Sequence, residues 1–240
     1  MMKGAKALRN GRIEKCDGGP FHRYGGKFLY FNAITAALAV ILVLSSAFAQ
    51  AASPVLSPRI VALGDSLTAG YGLQAEDSFP SKLEQALHAK GVQATVINAG
   101  VSGDTTAGGL ARLDWVMKDK PDAVILELGA NDGLRGFDPK EMEKNLDAIL
   151  TRLHAAKIPV LIAGMRAPPN LGRDYGVEYE SVFKTVADKH HAPLYPFFLD
   201  GSAGNPELTQ QDGLHPTAKG VDVIVGKILP AVLRLIGAGG

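Results

Sequence analysis

Cysteine is nearly missing from this 240-residue chain: Cys16 is the only one. A single thiol excludes an internal disulfide, a zinc site built on cysteines and a redox-active cysteine pair. Metal-binding signatures are equally scarce. HExxH, D-x-D and paired-histidine spacings are all absent, so Asp65, Asp104, Asp132 and Asp212 would have to converge from far apart to hold a divalent cation. Beyond residue 50 the basic residues are scattered and form no run interleaved with aromatics, which leaves nucleic-acid binding without support. Internal repeats and low-complexity blocks are missing too, and the length suits one sizeable core.

The first fifty residues differ from the rest. Seven Lys and Arg stand in residues 1–27 against Glu14 and Asp17, the apolar run AITAALAVILVL follows at 33–44, and SSAFAQA closes the segment. Basic, then apolar, then small residues in an A-x-A arrangement is the order of a secretory signal peptide, with cleavage after Ala49 or Ala51. The apolar stretch extended over 28–49 is also long enough to span a bilayer, so an uncleaved anchor is the alternative. Either way the folded part is expected across the membrane from the cytoplasm, periplasmic or secreted. No Cys follows the small residues, so nothing suggests a lipid-modified amino terminus. Loss of 1–49 removes Cys16 and leaves 18 basic against 22 acidic residues, turning a net charge of +1 into −4. The chain divides into a signal peptide at 1–51, a linker at 52–58 and one domain at 59–240.

Within that domain short apolar runs alternate with longer amphipathic ones. Strands are predicted at 60–63, 94–98, 123–128, 159–164 and 194–196, mostly Val, Ile and Leu without alternation, as for strands buried on both faces. Helical patterns lie between them at 79–90, 106–118, 139–157, 177–190 and 217–236. This order predicts a three-layer, doubly wound α/β domain around a mainly parallel five-stranded sheet. Ligands of such sheets bind outside the carboxyl ends of the strands, which directs attention to the segments just after each one.

The first strand stops at Gly64-Asp65-Ser66, in the stretch ALGDSLTAGYG. Those residues suit an ordinary turn or helix cap. They also suit a serine held by a sharp turn with its hydroxyl toward the cleft, although the G-x-S-x-G pattern of α/β-hydrolases is absent. A hydroxyl needs a base to become a nucleophile. His88 and His154 fall on predicted helices and His190-His191 at a helix end, all suited to surface or capping roles. His215 lies ahead of the last helix in Asp212-Gly213-Leu214-His215-Pro216. An Asp three residues before a His in a turn can accept its Nδ1–H and leave Nε2 for the serine proton; the alternative is a plain helix cap. Gly100 after the second strand and Asn131 after the third could, with the Ser66 N–H, supply donors to an oxyanion. Asp65 and Asp132 read as residues supporting the turns, and Arg112 and Arg135 as solvated surface cations, with steering of an anionic head group as the alternative. The loose dinucleotide pattern G-x-G-x-x-A at 70–75 starts six residues past Gly64, too far from the strand end to cradle a phosphate.

Taken together, Gly64-Asp65-Ser66-Leu67, Gly100, Gly129-Ala130-Asn131-Asp132 and Asp212-Gly213-Leu214-His215 resemble the four blocks of the SGNH/GDSL hydrolase family. The resemblance covers about residues 59–236. The stretches GDSLTAGYG, SGDTTAGGLARL, ELGANDGLRGF and GLHP are most similar to its periplasmic bacterial thioesterase, lysophospholipase and arylesterase subgroup. The resemblance implies a flavodoxin-like sheet, a Ser66–Asp212–His215 triad, and an oxyanion hole of Ser66, Gly100 and Asn131. It also implies turnover of aryl esters, acyl thioesters and lysophospholipids through an acyl-enzyme, with no cofactor and no metal. Residues 165–175 are similar to a mobile loop that shapes the acyl groove. Met165 and Pro168, together with Asp65 and Leu214, are therefore candidate substrate contacts. A small acyl ester or thioester is the expected partner, membranes enter only through the signal segment or a lipid substrate, and nothing demands more than a monomer. Two other readings stay open at this point: an exported lipid-binding protein without turnover, and a carboxylate-metal hydrolase.

Overall fold

The computed structural model describes residues 57–239. The signal peptide read at 1–51, its anchor alternative and most of the 52–58 linker lie outside the described residues. Among the described residues no helix is long and apolar enough to cross a membrane.

The chain runs β1 (Arg59–Gly64), α1 (Ser66–Ala69), α2 (Phe79–Ala89), β2 (Thr95–Gly100), α3 (Thr106–Ala111) and α4 (Leu113–Lys118). It continues through β3 (Ala123–Glu127), α5 (Ala130–Leu134), α6 (Pro139–Ala155), β4 (Val160–Ala163), α7 (Arg173–His190), β5 (Leu194–Tyr195) and α8 (Ala218–Leu235). The five strands form one sheet in the order β2-β1-β3-β4-β5, and every neighbouring pair is parallel. β1 and β3 are buried along nearly their whole length, which is why their sequences lack alternation.

Helices cover both faces. α2 packs against α8, and α6 against α7. Each presents an apolar stripe at helical spacing: Phe79, Leu83 and Leu87 on α2; Met142, Leu146, Ile149 and Leu153 on α6; Tyr179, Val182, Phe183 and Val186 on α7. Full burial of one such side chain is worth about 1.5–3 kcal/mol, so these stripes and the central strands hold the layers together. Local signals set the ends. Asp138 accepts the Lys140 N–H with Pro139 following it, and Thr217 accepts the Gly220 N–H ahead of α8.

Two departures from the predicted elements bear on the site. The helix expected over 106–118 is broken at Arg112, whose backbone leaves helical geometry at φ −101° and ψ 7°. Ahead of that break α3 carries two glycines that bring it close to its surroundings: a Cβ on Gly109 would lie 2.2 Å from Leu128 Cδ1. Short helices absent from the expected set, α1 and α5, begin immediately after β1 and β3. The order 2-1-3-4-5 reverses direction between β1 and β3, and crevices of open sheets form at such a reversal.

Candidate active site

Ser66 is the first residue of α1 and stands two positions past the end of β1, with Asp65 between. Asp65 caps that helix, its Oδ1 accepting the Leu67 N–H at 2.9 Å. Gly70, in the left-handed region at φ 83°, ends α1 after a single turn. The G-x-G-x-x-A pattern therefore belongs to the exit of this turn, and Gly72 leaves room for Gln210, whose Oε1 would lie 2.4 Å from a Cβ there.

From the opposite end of the sequence the loop before α8 brings up His215. Ser66 Oγ donates to His215 Nε2 at 2.9 Å, and His215 Nδ1 donates to Asp212 Oδ2 at 2.6 Å. Asp212 Oδ1 accepts the backbone N–H groups of Leu214 and His215 at 2.9 and 3.0 Å. Those N–H donors, with the imidazole, hold the Asp212 carboxyl down at about 2. Gln210 secures the loop: its N–H donates to the His215 carbonyl, and its amide donates to the carbonyls of Tyr71 and Pro216. The Tyr71 ring lies against the imidazole.

Asn131 enters from α5, directly across the sheet reversal from Ser66. Its amide donates to Asp65 Oδ2 at 3.1 Å and to the Asp104 carbonyl at 2.9 Å. Gly129, at φ 123°, makes the turn into α5, and its carbonyl accepts the buried Tyr179 hydroxyl at 2.8 Å. Gly100 ends β2 beside Gly64, and its N–H donates to Asn98 Oδ1 at 3.0 Å. A side chain at Gly100 would sit 2.3 Å from the Ala69 N, so close approach of α1 explains the glycine. The Ser66 N–H, first of its helix, has no partner within the helix.

Ser66, Asn131 and His215 face a cavity of about 340 Å³, whose wall does not include Gly100 or Asp212. Of the candidate substrate contacts, Met165, Pro168 and Leu214 line it beside Ser66, Asn131 and His215, whereas Asp65 borders it with no exposed surface, its carboxylate turned to the Leu67 N–H and the Asn131 amide. Part of its wall was not anticipated, with Leu134, Phe197 and Leu199 supplying apolar surface; Arg166, in the 165–175 loop read as shaping the groove, lies over the Phe197 ring at 4.4 Å. Phe197 and Leu199 follow β5, and position after a strand is the signal that points to them.

Arg112 departs from the surface role read for it. Its Nε donates to Asp104 Oδ2 at 2.6 Å and its Nη2 to the Gly64 carbonyl at 2.9 Å, so the guanidinium ties the end of β1 to the loop that meets Asn131. Arg135 donates to the Gly103 carbonyl. The four aspartates of the metal reading go separate ways: Asp65 to Leu67 and Asn131, Asp104 to Arg112, Asp132 to Thr106, and Asp212 to His215. Other histidines have partners elsewhere, His88 at the Ala94 carbonyl and His190 at Asp147. A second cavity of about 340 Å³ includes His154, His190 and His191 in its wall, at the amino ends of β4 and β5 and away from Ser66.

Residues 62–223 match the GDSL-like Lipase/Acylhydrolase family. The chain belongs to this family. It is an SGNH-type hydrolase, a serine esterase whose substrates are small esters. An arylesterase of Vibrio mimicus is 42% identical over 70% of this chain and 85% of its own length. The thioesterase 1/protease 1/lysophospholipase L1 of Escherichia coli (strain K12) is 40% identical over 65% of this chain and 74% of its own. The crystal structure of AlinE4, an SGNH-hydrolase family esterase, is 50% identical and superimposes with a TM-score of 0.65 over 76% of this chain and 98% of that one.

Proposed function

We propose that Ser66 is the nucleophile, His215 its base, and Asp212 the carboxylate that orients and stabilises the imidazolium. The single observation that carries this reading is the unbroken line of hydrogen bonds from Asp212 through His215 to Ser66. With Nδ1–H committed to Asp212, Nε2 accepts the serine proton as Oγ attacks the ester carbon. The tetrahedral oxyanion is met by the N–H of Ser66, the N–H of Gly100 and the amide of Asn131. Asn98, Asp65 and Asp104 hold the latter two donors until the oxyanion, a charged and stronger acceptor, competes for them. His215 then protonates the leaving group, and water activated by the same imidazole releases the acid from the acyl-enzyme.

The apolar cavity beside Ser66 favours an aliphatic acyl group, with carboxylic esters, acyl thioesters and lysophospholipids as substrates. The names of the similar arylesterase and thioesterase/lysophospholipase support that range. A single chain carries every residue assigned, so a monomer suffices. The order of residues 1–51, basic then apolar then small, supports export to the periplasm or beyond. Ser66→Ala tests the assignment. It should lower turnover of a short aryl ester by at least about 10⁴-fold and abolish labelling by a fluorophosphonate, while the thermal midpoint stays close to wild type. Undiminished turnover in that variant overturns it.

A further inference from the structure

Behind the serine turn lies a pair of enclosed carboxyls that take no part in bond making or breaking. Glu127 ends β3 and is 1% exposed; Asp65, between β1 and α1, is 0% exposed. In the sheet register Gly64 stands beside Glu127, and a Cβ at Gly64 would lie 2.6 Å from Glu127 Oε2, so the missing side chain makes room for the carboxyl. Glu127 Oε2 accepts the Thr68 hydroxyl at 2.8 Å and the Asp65 N–H at 3.4 Å. Asp65 carries the connection onward through Oδ1 to the Leu67 N–H and through Oδ2 to the Asn131 amide. Glu127 Oε1, although enclosed, has no hydrogen-bond partner among the described residues.

Two carboxyls buried together, one accepting the backbone N–H of the other, do not both keep a charge at neutral pH, because burial and each other's charge oppose it. The surrounding groups do not rescue them. Thr68 and Asp65 face Glu127 from α1 and its cap, and Tyr179 approaches from α7 as a neutral phenol. Asp104 adds negative charge near Asp65. Arg112 is spent on Asp104 and the Gly64 carbonyl, and His215 faces Asp65 from the loop before α8. Burial pushes both carboxyls up, Asp65 to about 6 and Glu127 well above the ordinary range, the latter further opposed by the Asp65 charge.

We propose that Glu127 is a positioning residue for the oxyanion side of the site: it fixes Asp65, and through Asp65 it aims the Asn131 amide and the Ser66 turn. This rests on the roles assigned to Ser66 and Asn131 above. Neutral Glu127 keeps Asp65 as the single carboxylate between α1 and α5. Ionisation of Glu127 at high pH places a second charge beside Asp65 and loosens both arms of the connection.

The test is a pair of variants, Glu127→Gln and Glu127→Leu, assayed for kcat and KM on a short p-nitrophenyl ester from about pH 5 to pH 10. The wild-type kcat should fall on the alkaline side. Glu127→Gln, which cannot ionise, should keep most of the neutral-pH kcat and lose that fall. Glu127→Leu, which lacks the acceptor, should lower kcat about 10- to 10²-fold with KM little changed. In parallel, the side-chain amide resonance of Asn131 should shift with pH on the alkaline side in the wild type and stay fixed in Glu127→Gln. A Glu127→Gln profile that superimposes on the wild type through the alkaline range, or an Asn131 resonance indifferent to the substitution, overturns the proposal even if Glu127→Leu does not fold. Fluorophosphonate labelling of wild-type Ser66 reports separately on the triad assignment, and the Asn131 resonance reads the positioning without any turnover.

Discussion

The ring of Tyr71 rests on the imidazole of His215, with centroids 4.6 Å apart and planes inclined by 38°. Tyr71 is 54% exposed and comes just after the end of α1, so its contribution to stability is small while its contact falls on the proposed base. Tyr71→Ala should let the imidazole swing away from Ser66 and lower kcat roughly 2- to 10-fold, the worth of one aromatic contact. The thermal midpoint should hardly move. A kcat equal to wild type would show that Gln210 alone holds the loop.

Asn131 bridges Asp65 and the Asp104 carbonyl while standing beside Ser66 in the cavity wall. Asn131→Ala should cost on the order of 10²- to 10³-fold in kcat, the usual loss for one oxyanion donor, with KM nearly unchanged. Pre-steady-state measurement of acylation on a p-nitrophenyl ester checks this, and a rate within threefold of wild type, about 0.6 kcal/mol, removes Asn131 from the oxyanion hole.

Arg112 holds two groups at once from a half-buried position, with 21% of its side chain exposed. A lysine offers a point charge in place of the planar fork and cannot reach both. Arg112→Lys should therefore destabilise the fold by about 1–3 kcal/mol, seen as a fall of several degrees in the melting midpoint. Turnover should drop by less than the Asn131→Ala effect, since the Asp104 carbonyl only steadies that amide. An unchanged midpoint would return Arg112 to the surface role its sequence suggested.

The carboxyls of the site tilt the stability profile in opposite directions. Asp65 is raised from 3.8 to about 6, so the folded chain binds its proton more tightly than the unfolded chain does. Its contribution is fully present below about pH 4 and is lost as pH rises through about 6. Asp212 is lowered from 3.8 to about 2, so its stabilisation is present above about pH 4 and is lost as pH falls through about 2; being well exposed, it weighs less. Melting midpoints should accordingly decline between pH 4 and pH 6 in the wild type, and Asp65→Asn should flatten that decline. The decline reflects roughly 3 kcal/mol at most for a shift of this size. A slope that persists in Asp65→Asn would assign it to another group.

Strand and helix placement was legible because burial leaves its mark on the chain itself. Strands covered on both faces need continuous apolar runs, and β1 and β3 show them. The break at Arg112 was not legible: the residue's partner, the Gly64 carbonyl, is 48 positions away, and no local pattern reports such a contact. Ser66 and Asn131 stood out as chemistry-bearing residues just past strand ends, and Asp212 and His215 as a carboxylate–imidazole pair ahead of the last helix; Phe197 and Leu199 follow a strand but carry no reactive group, and Gln210 has neither signal. Gln210 looks like any polar loop residue until its amide is found between the Tyr71 and Pro216 carbonyls. Glu127 did leave a trace, as the one charged residue closing the apolar run AVILE.

By itself the sequence determined the class of fold and the family, and it named the side chains proposed as nucleophile, base and carboxylate. Fold class follows from periodicity and the proposed roles from functional-group chemistry, whereas the family follows from the resemblance of four motif blocks taken together. Tertiary structure decided the rest. It brought His215 to 2.9 Å from a serine 149 positions away, and it enclosed Asp65 and Glu127 together beneath that serine. Distance and desolvation belong to the space between elements, and they alone set the serine of that turn against a hydrogen-bonded imidazole.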